Sequence, residues 1–142
     1  LFRSNAQIGD ILTIKIGSVG FSALIDHLNG HKFAIIPANL LRIRFRTTRS
    51  YPRFVYYALT STPGKRALKD LAANTAQPAL SLAGFRQLPF SVPISVEEQI
   101  AIATVLSDMD AAIVALERRL AKTRALKQGM MQELLTGRTR LV

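Results

Sequence analysis

Arg42, Arg44, Arg46, Arg49 and Arg53 place five guanidinium groups within twelve residues, with no acid among them. A guanidinium fork matches the oxygens of a phosphate or the guanine edge in the major groove, and each neutralised phosphate releases counterions. A surface charged only for solubility ordinarily interleaves acids to limit self-repulsion. Lys65, Arg66 and Lys69 follow, close to a helix start expected at Pro63, and form a second candidate phosphate clamp. The polar tract Asn74-Thr75-Ala76-Gln77 presents amide donors and acceptors, and Gln77 has the chemistry to pair bidentately with adenine. The bland alternative for that tract is an idle, solvent-exposed loop.

Other chemistries lack their parts. No catalytic constellation assembles, and Asp10 alone makes no hydrolase or nuclease site; capping a turn or pairing with an arginine suits it better. His27 and His31 have helical metal-ligand spacing, but Asn29-Gly30 between them signals a turn, so no metal is expected. Gly17-Ser18-Val19-Gly20 resembles the start of a nucleotide loop, without the third glycine or the Gly-Lys-Ser/Thr that would complete it. A tight turn is expected there, and no cofactor. Cysteine is absent, which removes disulfides and thiolate chemistry and suits a reducing compartment.

The charge is unevenly spread over the 142 residues, whose net is +10. Residues 1–96 hold 12 bases against 3 acids, whereas residues 97–142 hold 7 against 6. With 49% hydrophobic residues the chain is no disordered basic tail. A folded basic domain points to a polyanion, nucleic acid first and an anionic membrane surface second. No uninterrupted run of 18 apolar residues occurs, so no bilayer-spanning segment is expected; with nucleic acid the preferred polyanion, no membrane partner is expected. Leu1-Phe2-Arg3-Ser4 has neither an initiating Met nor a signal-peptide pattern and reads like the middle of a longer chain.

The elements that must position these groups begin with short strands. Period-two or β-branched segments predict strands within 8–16, at 21–25, 33–36 and 41–46, with turns at Gly17–Gly20 and Asn29-Gly30. In the last of these, Leu41, Ile43 and Phe45 face one way and Arg42, Arg44 and Arg46 the other. Pro52 and Pro63 open two helices, a helical turn is expected at 85–88, and Leu88, Phe90 and Val92 alternate as a final strand. From Ser95, which with Glu98 spells a capping box, a helix is predicted over about 96–135, roughly 60 Å at about 1.5 Å per residue. Ile102, Leu106, Met109, Ile113, Leu116 and Leu120 recur at alternating spacings of four and three, the seam of a coiled coil. Thr123 and Lys127 interrupt it before Met130 and Leu134, and Gly137 is a C-cap candidate.

In this order the segments resemble the specificity subunit of type I restriction–modification enzymes, particularly its second half. The resemblance runs through Gly9-Asp10-Ile11-Leu12, the Gly17…Gly20 turn, Asn39-Leu40-Leu41-Arg42-Ile43 and Thr75-Ala76-Gln77-Pro78-Ala79-Leu80-Ser81. Its most specific part is the helix, with Glu98-Gln99-Ile100-Ala101-Ile102-Ala103 and Leu126-Lys127-Gln128-Gly129-Met130-Met131-Gln132-Glu133-Leu134-Leu135-Thr136-Gly137. The closing Arg138-Thr139-Arg140-Leu141-Val142 is similar to the end of such a subunit. The resemblance implies an α+β fold: a small, irregular, β-helix-like DNA-recognition domain over 1–93, lacking its N-terminal part, then a long coiled-coil helix over 94–142. It implies no catalysis by this chain and a cytoplasmic location. The implied partners are double-stranded DNA, methyltransferase subunits docking near Glu98 and Gln99, and a second helix. That helix belongs to another target-recognition domain or, for this chain alone, to an antiparallel homodimer. Family domains often carry glycine where Thr75-Ala76-Gln77 stands here, so Ala76 implies a different loop geometry. The competing reading is a general DNA-binding or scaffold protein that dimerises through its coiled coil.

Overall fold

The structure, a computed structural model, describes residues 5–32, 34–45, 49–72 and 79–140. The chain divides into two compact units, Leu1–Ala103 and Thr104–Val142.

The first unit is mixed α/β. Strand β1 (Asn5–Ala6) pairs antiparallel with β4 (Ala34–Ile35), while β2 (Ile11–Ile14) lies between β3 (Ser22–Leu24) and β5 (Leu40–Ile43), both antiparallel to it. Register sets the faces. Ile11 stands opposite Ile43 and Thr13 opposite Leu41 on the core side, and Leu12 stands opposite Arg42 on the other. Residues beyond β5 follow the same alternation, with Phe45 packed on the core. Between β3 and β4, Asn29 and Gly30 both take positive φ, as a type I′ turn requires, and the His31 N–H closes the turn on the Leu28 carbonyl at 2.9 Å. His27 and His31 therefore flank a turn rather than share a helix face.

Helices α1 (Pro52–Thr60) and α2 (Thr62–Ala72) start at the two prolines, Pro52 as the first helical residue and Pro63 as the second. Their apolar faces close the core: Ile11, Val19, Leu59, Leu68, Ala72 and Leu80 are buried together. Ser61 breaks the chain between them. Its hydroxyl donates to the Ala58 carbonyl at 2.7 Å and accepts the Gly64 N–H at 3.2 Å, closing one helix and opening the next. The approach is so close that a Cβ on Gly64 would lie 2.1 Å from the Ala58 carbonyl oxygen. The Gly17–Gly20 turn also packs on α2, bringing Gly20 against the Lys65 carbonyl and the Lys69 side chain while Val19 enters the core.

Past residues 73–78, Ala79 bridges Ile16, the Leu80 N–H bonds the Lys15 carbonyl at 2.7 Å, and Ser81 caps the short α3 (Leu82–Arg86). The strand expected at 88–92 is not formed. Leu88 and Phe90 do pack on the core, but the segment has no ladder partner among the described residues, and Pro89 removes one of its donors. Alternation here reports an extended backbone with an inner and an outer side, which needs no neighbouring strand.

Helix α4 (Val96–Leu135) begins in the first unit and makes up most of the second. Ser95 accepts the Glu98 N–H at 3.3 Å, as a capping residue does, but the carboxylate that its hydroxyl meets, at 2.6 Å, is that of Glu97. The helix ends at Gly137, whose φ of 73° lets the Thr139 N–H return to the Glu133 carbonyl. By length and composition alone, α4 is apolar enough to cross a membrane: an 18-residue stretch reaches a mean hydropathy of 1.6, with 11% of it buried.

Candidate nucleic-acid interface

The arginine run divides by what each side chain finds nearby. Upstream of β2, Gln7 to Asp10 form a tight turn. The Asp10 N–H bonds the Gln7 carbonyl at 3.0 Å, and the Gln7 N–H returns to Asp10 Oδ2 at 2.8 Å. Gly9 supplies the positive φ, and its N–H reaches the Ile25 carbonyl at 2.8 Å. This places a buried carboxylate beside the end of β5, where Arg44 meets it with both prongs, Nε to Oδ1 at 2.8 Å and Nη2 to Oδ2 at 2.7 Å. Burial alone pushes the Asp10 carboxyl up. The Arg44 fork, the Gln7 N–H and the charges of Arg44 and Arg42 outweigh it and hold the carboxyl below its ordinary value. The same fork raises Arg44. Arg44 also donates to the Asn5 carbonyl at 3.2 Å, and Arg42 donates to that same oxygen.

Arg42 and Arg44, DNA-contact candidates from the acid-free arginine run, are therefore engaged internally, tying the first strand and the Asp10 turn to β5. The polar side of β5 thus meets a buried acid and a backbone carbonyl, while both guanidinium side chains stay partly exposed.

Arg49 differs, being exposed in the segment before α1, and Arg53 on α1 is half-buried, near enough to Asp26 to help lower that acid, whose main partner is His27. Lys65, Arg66 and Lys69 are all exposed on α2. Arg46 and Gln77 lie outside the described residues. No group of three or more His, Cys, Asp or Glu that could hold a metal ion occurs among the described residues.

The two docking candidates at the start of α4 part company. Glu98 is exposed, whereas Gln99 is completely buried. Its Oε1 accepts the Tyr51 N–H at 2.8 Å, and its Nε2 donates to the Arg49 carbonyl at 3.1 Å and the Pro93 carbonyl at 2.8 Å. A side chain whose amide is engaged inside its own domain offers no surface to a methyltransferase. Gln99 was a docking candidate by resemblance alone, and a polar residue one position from an exposed acid carries no local sign of burial.

Farther along α4 the apolar seam lies open. Met109, Ile113, Leu116, Leu120 and Met130 are 50–62% exposed, Ile102 is exposed as well, and Leu106 and Leu134 are half-buried. Leu126, Met130, Met131, Leu134 and Leu135 make a nearly unbroken apolar surface around Thr123 and Lys127.

A profile of the type I restriction modification DNA specificity domain matches residues 3–124. The chain belongs to this family. It is also similar to a protein of Methanocaldococcus jannaschii named as the MjaX type I restriction enzyme specificity subunit, at 29% identity over 131 residues. The match takes in 91% of this chain and 31% of that protein, so the chain spans about a third of the relative's length. DNA specificity is the family's role, and specificity subunits are generally non-catalytic.

Proposed function

We propose that this specificity domain reads one half of a bipartite DNA site and brings methyltransferase and restriction subunits to it, catalysing nothing itself and working in the cytoplasm. The observation that carries the reading is the extent of the family match, which runs through the recognition unit and well into α4. In this reading residues 1–93 are the target-recognition domain and 94–142 the helix and tail. The short strands and glycine turns are an irregular, β-helix-like scaffold, and Arg49, Lys65, Arg66 and Lys69 face phosphates. Arg46 and Gln77 stay DNA-contact candidates from sequence. The seam of Ile102, Leu106, Met109, Ile113, Leu116 and Leu120 covers itself with a second helix, from another target-recognition domain or an antiparallel copy of this chain. Support comes from its exposure, since each apolar Å² left in water forgoes roughly 25 cal/mol. Glu98, Met130 and Leu134 remain docking candidates for methyltransferase subunits.

Co-expression with a methyltransferase subunit, followed by duplex binding with and without it, tests the proposal. Co-purification and selection of a split sequence from a randomised pool are expected. A chain that binds duplex equally well alone, with no methyltransferase retained, would favour the general DNA-binding scaffold instead. Ile113→Asp with Leu116→Asp, placing carboxylates in the seam, should abolish helix pairing in sedimentation.

A further inference from the structure

The buried Gln99 amide is in an unusual position for a side chain from the first turn of a long helix. It bonds the carbonyl of residue 49 and the N–H of residue 51, the two groups that an extended segment shows on one side and that a neighbouring strand would normally take. Its second N–H goes to Pro93, just before α4. One amide thus clasps the Arg49–Tyr51 backbone from within while the Arg49 side chain stays exposed. Tyr51 is in turn the N-cap residue of α1 and has no side-chain cap of its own, and its N–H is held by the Gln99 amide of α4.

We propose that Gln99 is a positioning residue for DNA contact: its clasp fixes the backbone on either side of Ser50, so that the Arg49 guanidinium meets a phosphate already oriented. The inference rests on the DNA-reading role proposed above. An arginine on an unheld loop loses backbone freedom on binding, and holding the loop beforehand removes that loss.

The test is a double-mutant cycle on the full chain, with a fluorescent duplex selected by the wild-type protein from a randomised pool. Gln99→Glu keeps the acceptor for Tyr51 and loses both donors; Gln99→Met, of similar volume and without an amide, is the second variant. Circular dichroism and melting establish that each is folded. Arg49→Ala should weaken binding about fivefold in the wild-type background and less than about twofold in the Gln99 variants, whereas Lys65→Ala should have the same effect in all of them. Equal effects of Arg49→Ala in every background overturn the inference and leave DNA recognition standing. A parallel shrinkage of the Lys65 effect also overturns it, because it marks general loosening. Rapid amide exchange at Tyr51 in the unaltered chain overturns it without any variant. A wild-type chain that selects no duplex, with or without methyltransferase, overturns the DNA reading itself and the inference with it.

Discussion

Strand β5 and helix α2 carry similar densities of positive charge, yet the two regions use it in opposite ways. Arg42 and Arg44, at and just beyond the end of β5, direct their donors at the Asn5 carbonyl and the Asp10 carboxylate. Lys65, Arg66 and Lys69 on α2 stand exposed, with no ion pair to any of them among the described residues. A run of bases keeps its donors free for a polyanion where the fold supplies no acceptor of its own. Removing charge from β5 should therefore damage the fold, and removing it from α2 should damage only binding.

The largest effect expected comes from the seat of α2 rather than from its charges. Gly64→Ala would ordinarily gain about 1 kcal/mol of helix propensity. Here the added methyl meets the Ala58 carbonyl oxygen at 2.1 Å and that of Leu59 at 2.8 Å, both backbone atoms that cannot swing aside. A net destabilisation of about 3 kcal/mol is expected in urea unfolding, together with weaker DNA binding as α2 is displaced. Unchanged stability would show that α1 and α2 separate at little cost and that α2 is not a fixed platform.

Asp10→Ala should come next, at about 2–3 kcal/mol, because it orphans the Gln7 N–H and leaves the partly buried Arg44 fork unpaired. With protein folded at moderate temperature, the salt dependence of DNA binding should stay as it was. A shallower salt slope in this variant would mean that Arg44 does reach phosphate, and the contrast between β5 and α2 would fail.

How far the sequence carries this picture depends on which interaction each residue answers to. The β5 alternation, the two proline-led helices and the limits of α4 were legible because period and capping are local properties: Leu41 and Ile43 face inward as expected, and α4 runs from Val96 to Leu135. The use of each polar residue was not legible, since Asp10 lies 34 positions from Arg44 and Gln99 lies 50 from Arg49. No spacing rule reaches across such a separation. The two-residue β1 left no pattern at all. The Asp10 pairing was open as one of two roles, and the structure gives it both, turn cap and arginine partner.

Lys65→Ala, Arg66→Ala and Lys69→Ala together should leave stability within about 0.5 kcal/mol of wild type, since all three side chains are exposed and, among the described residues, the Lys69 stem against Gly20 is the packing at risk. DNA affinity should fall on every duplex, and the salt slope should decrease by about 0.9 for each phosphate no longer neutralised. A weakening confined to one preferred sequence would make one of these residues a base reader.

The smallest effect is a pH dependence that separates the two regions without any change of affinity. The folded state holds the Asp10 carboxyl below its ordinary value, while the unfolded chain leaves it near about pH 4. Between those two values the unfolded state binds the extra proton, so stability falls as pH falls. The contribution is complete above the ordinary carboxylate value and disappears once pH has dropped through the lowered one. Asp26 and Glu97 are lowered as well, by His27 and Ser95 respectively, but both are exposed and water screens what they add. Asp10→Asn should therefore lie a constant interval below wild type from pH 7 down to about pH 5, with the two curves converging below about pH 4. The α2 triple variant, having removed no group with a shifted carboxyl, should run parallel to wild type through the whole range. Convergence of the triple variant, or a constant gap for Asp10→Asn down to about pH 2, would show that the Asp10–Arg44 pair is not what distinguishes β5 from α2.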